Sequence, residues 1–175
     1  MPFKYYGGVH PDYAKTASKT PVRTISPPPV VVLPMIQQIG APNKPVVKVG
    51  DTVKMGQLIG SNDAPVSAPV HSSVSGKVIA VEPRRHMLGD MVMSVIIEND
   101  FQDTPCEDME PLSEEQLKDP DAIIARIREA GVVGMGGAMF PTAFKIQGAR
   151  GKVDTVIING AECEPYLCGD HRTML

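Results

Sequence analysis

Between residues 27 and 100 the apolar positions come in short runs cut by Gly, Pro or Asp. Residues 30–33, 46–49, 52–55, 58–59 and 91–98 are each of strand length. Residues 73–81 alternate around Gly76, with Val74, Val78 and Ala80 set against Ser75, Lys77 and Ile79. Runs this short, punctuated this often, predict a small all-β barrel or sandwich. Met87, Met91 and Met93 alternate over a strand-like stretch and are expected in the core.

After residue 112 the pattern changes. Ser113 with Gln116 three residues on reads as a capping box. Asp119-Pro120 reads as a helix start with Pro at the first helical position. Ile123, Ile124, Ile127 and Ala130 make an apolar stripe, which Gly131 ends. Residues 152–159 (KVDTVIIN) are expected to form a buried strand. A helix, a glycine-rich loop and a hydrophobic strand predict the start of an α/β domain. The chain therefore divides into an extended arm (1–26), an all-β block (27–100), an acidic, Pro-containing linker (101–112) and the beginning of an α/β domain (113–175).

Composition agrees with this mixed class. With 16 Gly and 17 Pro among 175 residues, long helices are excluded, while 42% hydrophobic residues exclude disorder. A net charge of −3 argues against nucleic acid as a partner. No apolar run reaches the length of a membrane span, and the opening residues lack a signal-peptide core, which leaves the cytoplasm as the default compartment. Three cysteines make no disulfide framework. Cys163 and Cys168 have neither iron–sulfur nor zinc spacing, so ordinary thiols and no metal site are expected. His71 and His86 have no paired ligands nearby and read as surface or turn histidines.

Two motifs carry candidate chemistry. The loop GMGGAMFPT (134–142) can bring backbone N–H groups close to an anion or a flat ring. It is not a P-loop, since no Gly-Lys-Ser/Thr follows, and it follows a helix rather than the first strand of a dinucleotide fold. Lys145 lies within reach of a phosphate there. The second motif, NGAECEPY (159–166), begins where the expected strand ends, which is where α/β sheets bind ligands.

The pair GVVGMGGAMFPTAFK and VDTVIINGAECEPYLCGDHRTML closely resembles the RnfC family, a component of the Rnf electron-transport complex. GGVHP, IGAPNKPVVKVGDTVKMGQLIG and SAPVHSSVSGKVIAVEPR extend that likeness over nearly the whole chain. The flavin region of that family is similar to the flavoprotein subunit of respiratory complex I. The resemblance implies a barrel-sandwich hybrid of the biotinyl/lipoyl kind, followed by the first part of a domain binding FMN and NADH. It implies that Gly134, Gly136, Gly137 and Ala138 line FMN with backbone groups, that Phe140 flanks the nicotinamide, and that Lys145 meets the phosphate. Asn159 and Glu162 would hold the flavin, and Glu164 would approach the nicotinamide or its ribose. Complex I relatives carry Arg at the position of Met135 and Asp at that of Ala161, so both residues are expected to pack instead.

The resemblance further implies a membrane-associated, ion-translocating oxidoreductase on the cytoplasmic side of the bacterial inner membrane. It would pass electrons between NAD(H) and ferredoxin through FMN and [4Fe-4S] clusters, beside other Rnf membrane and peripheral subunits. No side chain need act as a general acid or base. The two cysteine-rich cluster motifs of the family are not in this sequence, so it reads as an N-terminal fragment, inactive alone, with an incomplete sheet and a mobile or aggregation-prone end. Two alternatives are a soluble reductase reusing the same modules and a non-enzymatic docking module. A carrier role is disfavoured, because residues 61–69 hold no Lys and Lys77 lies inside an expected strand.

Overall fold

The computed structural model describes residues 12, 14–135, 137–160, 162 and 164–174. They divide into two compact units, one spanning Ser26–Val153 and one made of Met1–Ile25 with Asp154–Leu175.

The larger unit is built on two antiparallel sheets. The first has the order β1-β7-β6-β3, with β1 Val30–Pro34, β3 Thr52–Val53, β6 Gly76–Arg85 and β7 Met91–Asn99. The second has the order β2-β4-β5, with β2 Lys44–Pro45, β4 Leu58–Ser61 and β5 Val70–His71. β7 is a central strand of the first sheet. It pairs with β1 from Val30↔Glu98 to Pro34↔Ser94, and with β6 from Gly76↔Asn99 to Arg85↔Met91. The core lies between the sheets. Val53, Val78, Val95 and Ile97 come from the first, Ile59 and Val70 from the second, and Met35 and Val74 from the connections. The architecture is the expected barrel-sandwich hybrid, and the whole is mixed α and β.

Several elements differ from expectation for local reasons. The strand expected at 46–49 gives way to a turn. The Asp51 carboxylate accepts the Lys48 N–H at 2.9 Å, and the pairing moves back to Lys44–Pro45. β6 starts at Gly76 and runs to Arg85, with a register shift between Val78 and Ala80 that leaves Ile79 outside. Ser75, expected on the polar side, is buried. Its hydroxyl donates to Asp100 Oδ1 at 2.6 Å and accepts from the Thr104 N–H at 3.0 Å. That hydroxyl is the main reason the Asp100 carboxyl titrates below its ordinary value.

Met87, Met91 and Met93 are exposed rather than in the core. β1 ends opposite Ser94, so the end of the β6–β7 hairpin extends beyond it, and among the described residues nothing buries these three side chains. The acidic stretch 101–112 is hydrogen-bonded to the sheets along its first half. The Met55 N–H donates to Thr104 O at 2.8 Å, and the Cys106 N–H donates to Met55 O at 2.9 Å. Cys106 is buried.

The helices follow their start signals. Ser113 and Gln116 exchange the two capping-box bonds at 2.9 and 3.3 Å, ahead of a 3-10 turn at Gln116–Lys118. Helix α1 is Pro120–Glu129, capped by the Asp119 carboxylate, which accepts the Asp121 N–H at 2.9 Å. Gly131, at φ +67°, ends it as expected. A Cβ there would also lie 2.6 Å from Pro69 O, so helix end and β5 approach too closely for a side chain. Helix α2 is Thr142–Ala149 and packs on α1, with an ion pair between Arg150 and Asp121.

In the smaller unit, helix α3 (Gly169–Met174) is joined to a 3-10 turn at Thr16–Lys19 by an Arg172 Nη1 to Ser18 O bond of 2.8 Å. The beginning of the expected arm lies outside the described residues, and the part that is described contains this turn. The strand expected at 152–159 does not form. Val156, Ile157 and Ile158 are almost wholly exposed, Ile157 at 87%. A strand exists only through ladder bonds to a neighbour, and the described residues of this unit contain no other strand.

Candidate functional site

The glycine loop is a closed structure. An antiparallel bridge joins Val133 to Pro141, the Gly134 N–H donates to Phe140 O at 3.0 Å, and the Thr142 N–H donates to Val132 O at 3.0 Å. The chain enters α2 directly from this closure, so the loop opens beside the helix N-terminus, where partial positive charge gathers. A further bond, from the Ile39 N–H to Ala138 O at 3.3 Å, ties the loop to the segment after β1. Met139 turns the chain at φ +52°. Neither Ile39 nor Met139 is singled out by sequence, because one acts through its backbone and the other stands where a glycine would have been the signal.

Gly134, Gly137 and Ala138 lie in this loop, with Phe140 at its closing end; Gly136 is outside the described residues. Phe140 is half-buried and packs edge-on against Phe144 of α2, with centroids 5.9 Å apart. Lys145 is exposed on the first turn of α2. Met135, expected to pack, is exposed instead, on the solvent side of the loop. Ala161 and Cys163 are outside the described residues. Asn159, Glu162 and Glu164 belong to the smaller unit. There the Glu162 carboxylate accepts the His171 N–H at 3.1 Å, near the start of α3, while Asn159 and Glu164 are exposed. No group of three or more potential metal ligands occurs among the described residues.

A Cβ built on Gly137 meets nothing within 4 Å, so open space lies directly against the backbone there. Lys145 stands one helical turn beyond Pro141.

A broad groove of about 980 Å³ lies elsewhere in the larger unit, along β4, β5 and α1. Its walls include His71, Glu107, Asp108, Arg126 and Arg128. His71, expected at the surface or in a turn, is half-buried in β5, and burial holds its imidazole below the ordinary pKa. His86 sits in the β6–β7 turn as expected, where its Nδ1 accepts the Leu88 N–H at 3.3 Å.

The larger unit is thus a two-sheet hybrid barrel leading through a capped helix into a glycine loop. Comparison with known proteins agrees. A family model described as the RnfC barrel sandwich hybrid domain matches residues 3–102, and one described as the Nuo51 FMN-binding domain matches residues 127–175. The chain belongs to the RnfC family. It is 49% identical over 97% of its length to the C component of the Na(+)-translocating ferredoxin:NAD(+) oxidoreductase complex of Acetobacterium woodii, covering 39% of that protein. It is 44% identical over 98% of its length to the proton-translocating counterpart of Clostridium ljungdahlii, covering 38%. It is also 43% identical over 97% of its length to the C component of the ion-translocating oxidoreductase complex of Klebsiella pneumoniae, covering 23%. The chain thus spans about two fifths or less of these relatives. No described helix is long and apolar enough to cross a membrane.

Proposed function

We propose that the chain supplies the N-terminal part of an RnfC-type subunit in an ion-translocating oxidoreductase that passes electrons between NAD(H) and ferredoxin. In this reading residues 1–26 form an arm, 27–100 the hybrid barrel, 101–112 a connection and 113–175 the first part of the flavin domain. The carrying observation is the order of the two modules: a barrel of the RnfC kind followed by a loop and helix of the FMN-binding kind, with open space against Gly137.

Within that domain the backbone of Gly134, Gly136, Gly137 and Ala138 lines the flavin, and Lys145 together with the N-terminus of α2 neutralises its phosphate. Phe140, braced by Phe144, limits where a nicotinamide ring can lie. Asn159 and Glu162 hold polar edges of the flavin, and Glu164 meets the nicotinamide or its ribose. FMN, when bound, supplies the exchange between two-electron and one-electron chemistry; the chain supplies orientation and exclusion of water. The [4Fe-4S] clusters, ferredoxin and the other Rnf subunits belong to the larger assembly, on the cytoplasmic face of the bacterial inner membrane.

The test is a chimaera in which this chain replaces the matching residues of its Acetobacterium woodii relative. The purified complex should retain FMN and NADH-dependent electron transfer. Gly137→Val should lower FMN affinity by at least about tenfold while leaving the melting curve unchanged, since the added side chain enters empty space. A folded chimaera without FMN would overturn the reading.

A further inference from the structure

Two connections of the barrel, residues 35–43 between β1 and β2 and residues 62–69 between β4 and β5, are bound to each other. The Ala41 N–H donates to Val66 O at 3.0 Å. Asn62 Nδ2 donates to Pro42 O at 2.7 Å, and the buried Asn43 Nδ2 donates to Ala68 O at 2.8 Å. Gly40 makes the closest approach. It stands at φ +130°, and a Cβ there would lie 2.1 Å from Val66 O. The second connection is also fixed internally. Asn62 Oδ1 accepts the Ala64 N–H at 2.6 Å, and the Ser67 hydroxyl donates to Ala64 O at 2.7 Å.

This braced pair meets the glycine loop on both sides. Before the loop, Arg128 Nη2 donates to Ala64 O at 3.1 Å, and Gly131 lies against Pro69 O. Within the loop, Ala138 O accepts the Ile39 N–H, next to Gly40 in the chain. Between these contacts lies a cavity of about 230 Å³, lined by Gln37, Gln38, Pro69, His71, Gly131 and Val133 among others. The joint is therefore set by close backbone approaches around an unfilled centre. A glycine loop has wide conformational freedom, and ordering it on binding costs affinity unless it is held beforehand.

We propose that residues 35–43 and 62–69 form a platform that holds the glycine loop in its ligand-ready shape. Gly40 and Asn62 are then positioning residues for the flavin, acting through Ile39 and Ala138. The inference rests on the FMN reading for what the loop holds. Its first readout is made without FMN, so the two fail separately.

Hydrogen exchange read by mass spectrometry on the FMN-free chain tests the platform. Gly40→Ala drives a Cβ into Val66 O and strains the backbone. Exchange across residues 132–141 should quicken at least about tenfold, while β6 and β7 stay protected as in the parent. Asn62→Ala cuts the ties to Pro42 and Ala64 without touching the core, and should quicken the same peptides to a smaller extent. It keeps the test open if Gly40→Ala does not fold. Val78→Ala opens the core of the first sheet instead; it should lower the melting temperature without singling out the loop. In the chimaera described above, the FMN dissociation constant should rise at least about fivefold for Gly40→Ala and measurably for Asn62→Ala, and stay as in the parent for Val78→Ala. The visible circular dichroism of the bound flavin should change with the first two only. The platform is overturned if neither variant quickens exchange in 132–141, or if Val78→Ala reproduces the selective effect. Its positioning role is overturned if FMN affinity holds while the loop loosens. A parent chimaera that holds no FMN sinks the flavin reading, and the exchange result still decides the platform.

Discussion

Gly76 sits where three strands meet. It pairs with Asn99 of β7 and Val53 of β3, at φ +153°, and a Cβ there would lie 1.9 Å from Glu98 O. Backbone, not a flexible side chain, occupies that space, so nothing can yield cheaply. Gly76→Ala should therefore destabilise the larger unit by about 3 kcal/mol or more, read as a lower urea midpoint. The sequence marks this residue only as a break in an alternating run. It does not show that the opposing carbonyl arrives from Glu98, far along the chain. The same limit applies at Ser75, whose burial depends on Asp100 and Thr104. It applies again at Met91 and Met93, which carry core-like spacing but outrun the layer that would cover them.

Elements whose ends are set by local chemistry were legible, and those set by distant partners were not. The cap of α1 is wholly local. Asp119 accepts the Asp121 N–H and Pro120 occupies the first turn, so the helix starts where the pattern places it. Asp119→Ala should cost about 1 kcal/mol in urea unfolding, whereas Asp119→Ser should restore most of it; equal stability of all three would show that the cap contributes nothing. By contrast, β5 is two residues long and exists only because β4 lies beside it. Residues 152–159 carry the composition of a buried strand, yet from Asp154 on they lie in the smaller unit, whose described residues hold no strand to join. The glycine loop falls between these cases. Its glycines and the following helix can be read directly, but its closure by Val133 and Pro141 and its tether to Ile39 come from the fold.

At the scale of the larger unit, barrel and helices meet at the end of α1. Gly131 lies against Pro69 O, and His71 is half-buried alongside, in the groove that also holds Glu107, Asp108, Glu110 and Glu129. Burial is the cause of the lowered His71 pKa, so the folded state prefers the neutral ring and the unfolded state takes up a proton first as pH falls. Stability from this group is full above the unfolded value of about 6.5 and declines as pH drops below it toward the folded value. His71→Gln should flatten that decline, measured as urea midpoints across about pH 7.5 to 5.5. An unchanged slope would show that other groups set it. The fold class and the order of modules were readable because separate motifs agree along the chain. The surroundings of Glu162 were not, since its carboxylate is held by the His171 N–H, a contact that the strand-like pattern before it does not announce.

The strand order also sets a timetable for synthesis. β1 has its ladder partner in β7, which a ribosome makes about sixty residues later, or roughly 3–12 seconds at ~5–20 residues per second. Throughout that interval the nascent chain holds Val30, Val31, Val32 and Leu33 as an unpaired apolar segment, the kind that pairs with whatever strand edge is near. Prolines bracket it on both sides, at Pro27, Pro28 and Pro29 before it and Pro34 after it. Having no N–H to donate, they limit the segment to a short stretch of ladder with any foreign edge. These four prolines are thus also a guard on the chain while it waits for the second half of its own sheet.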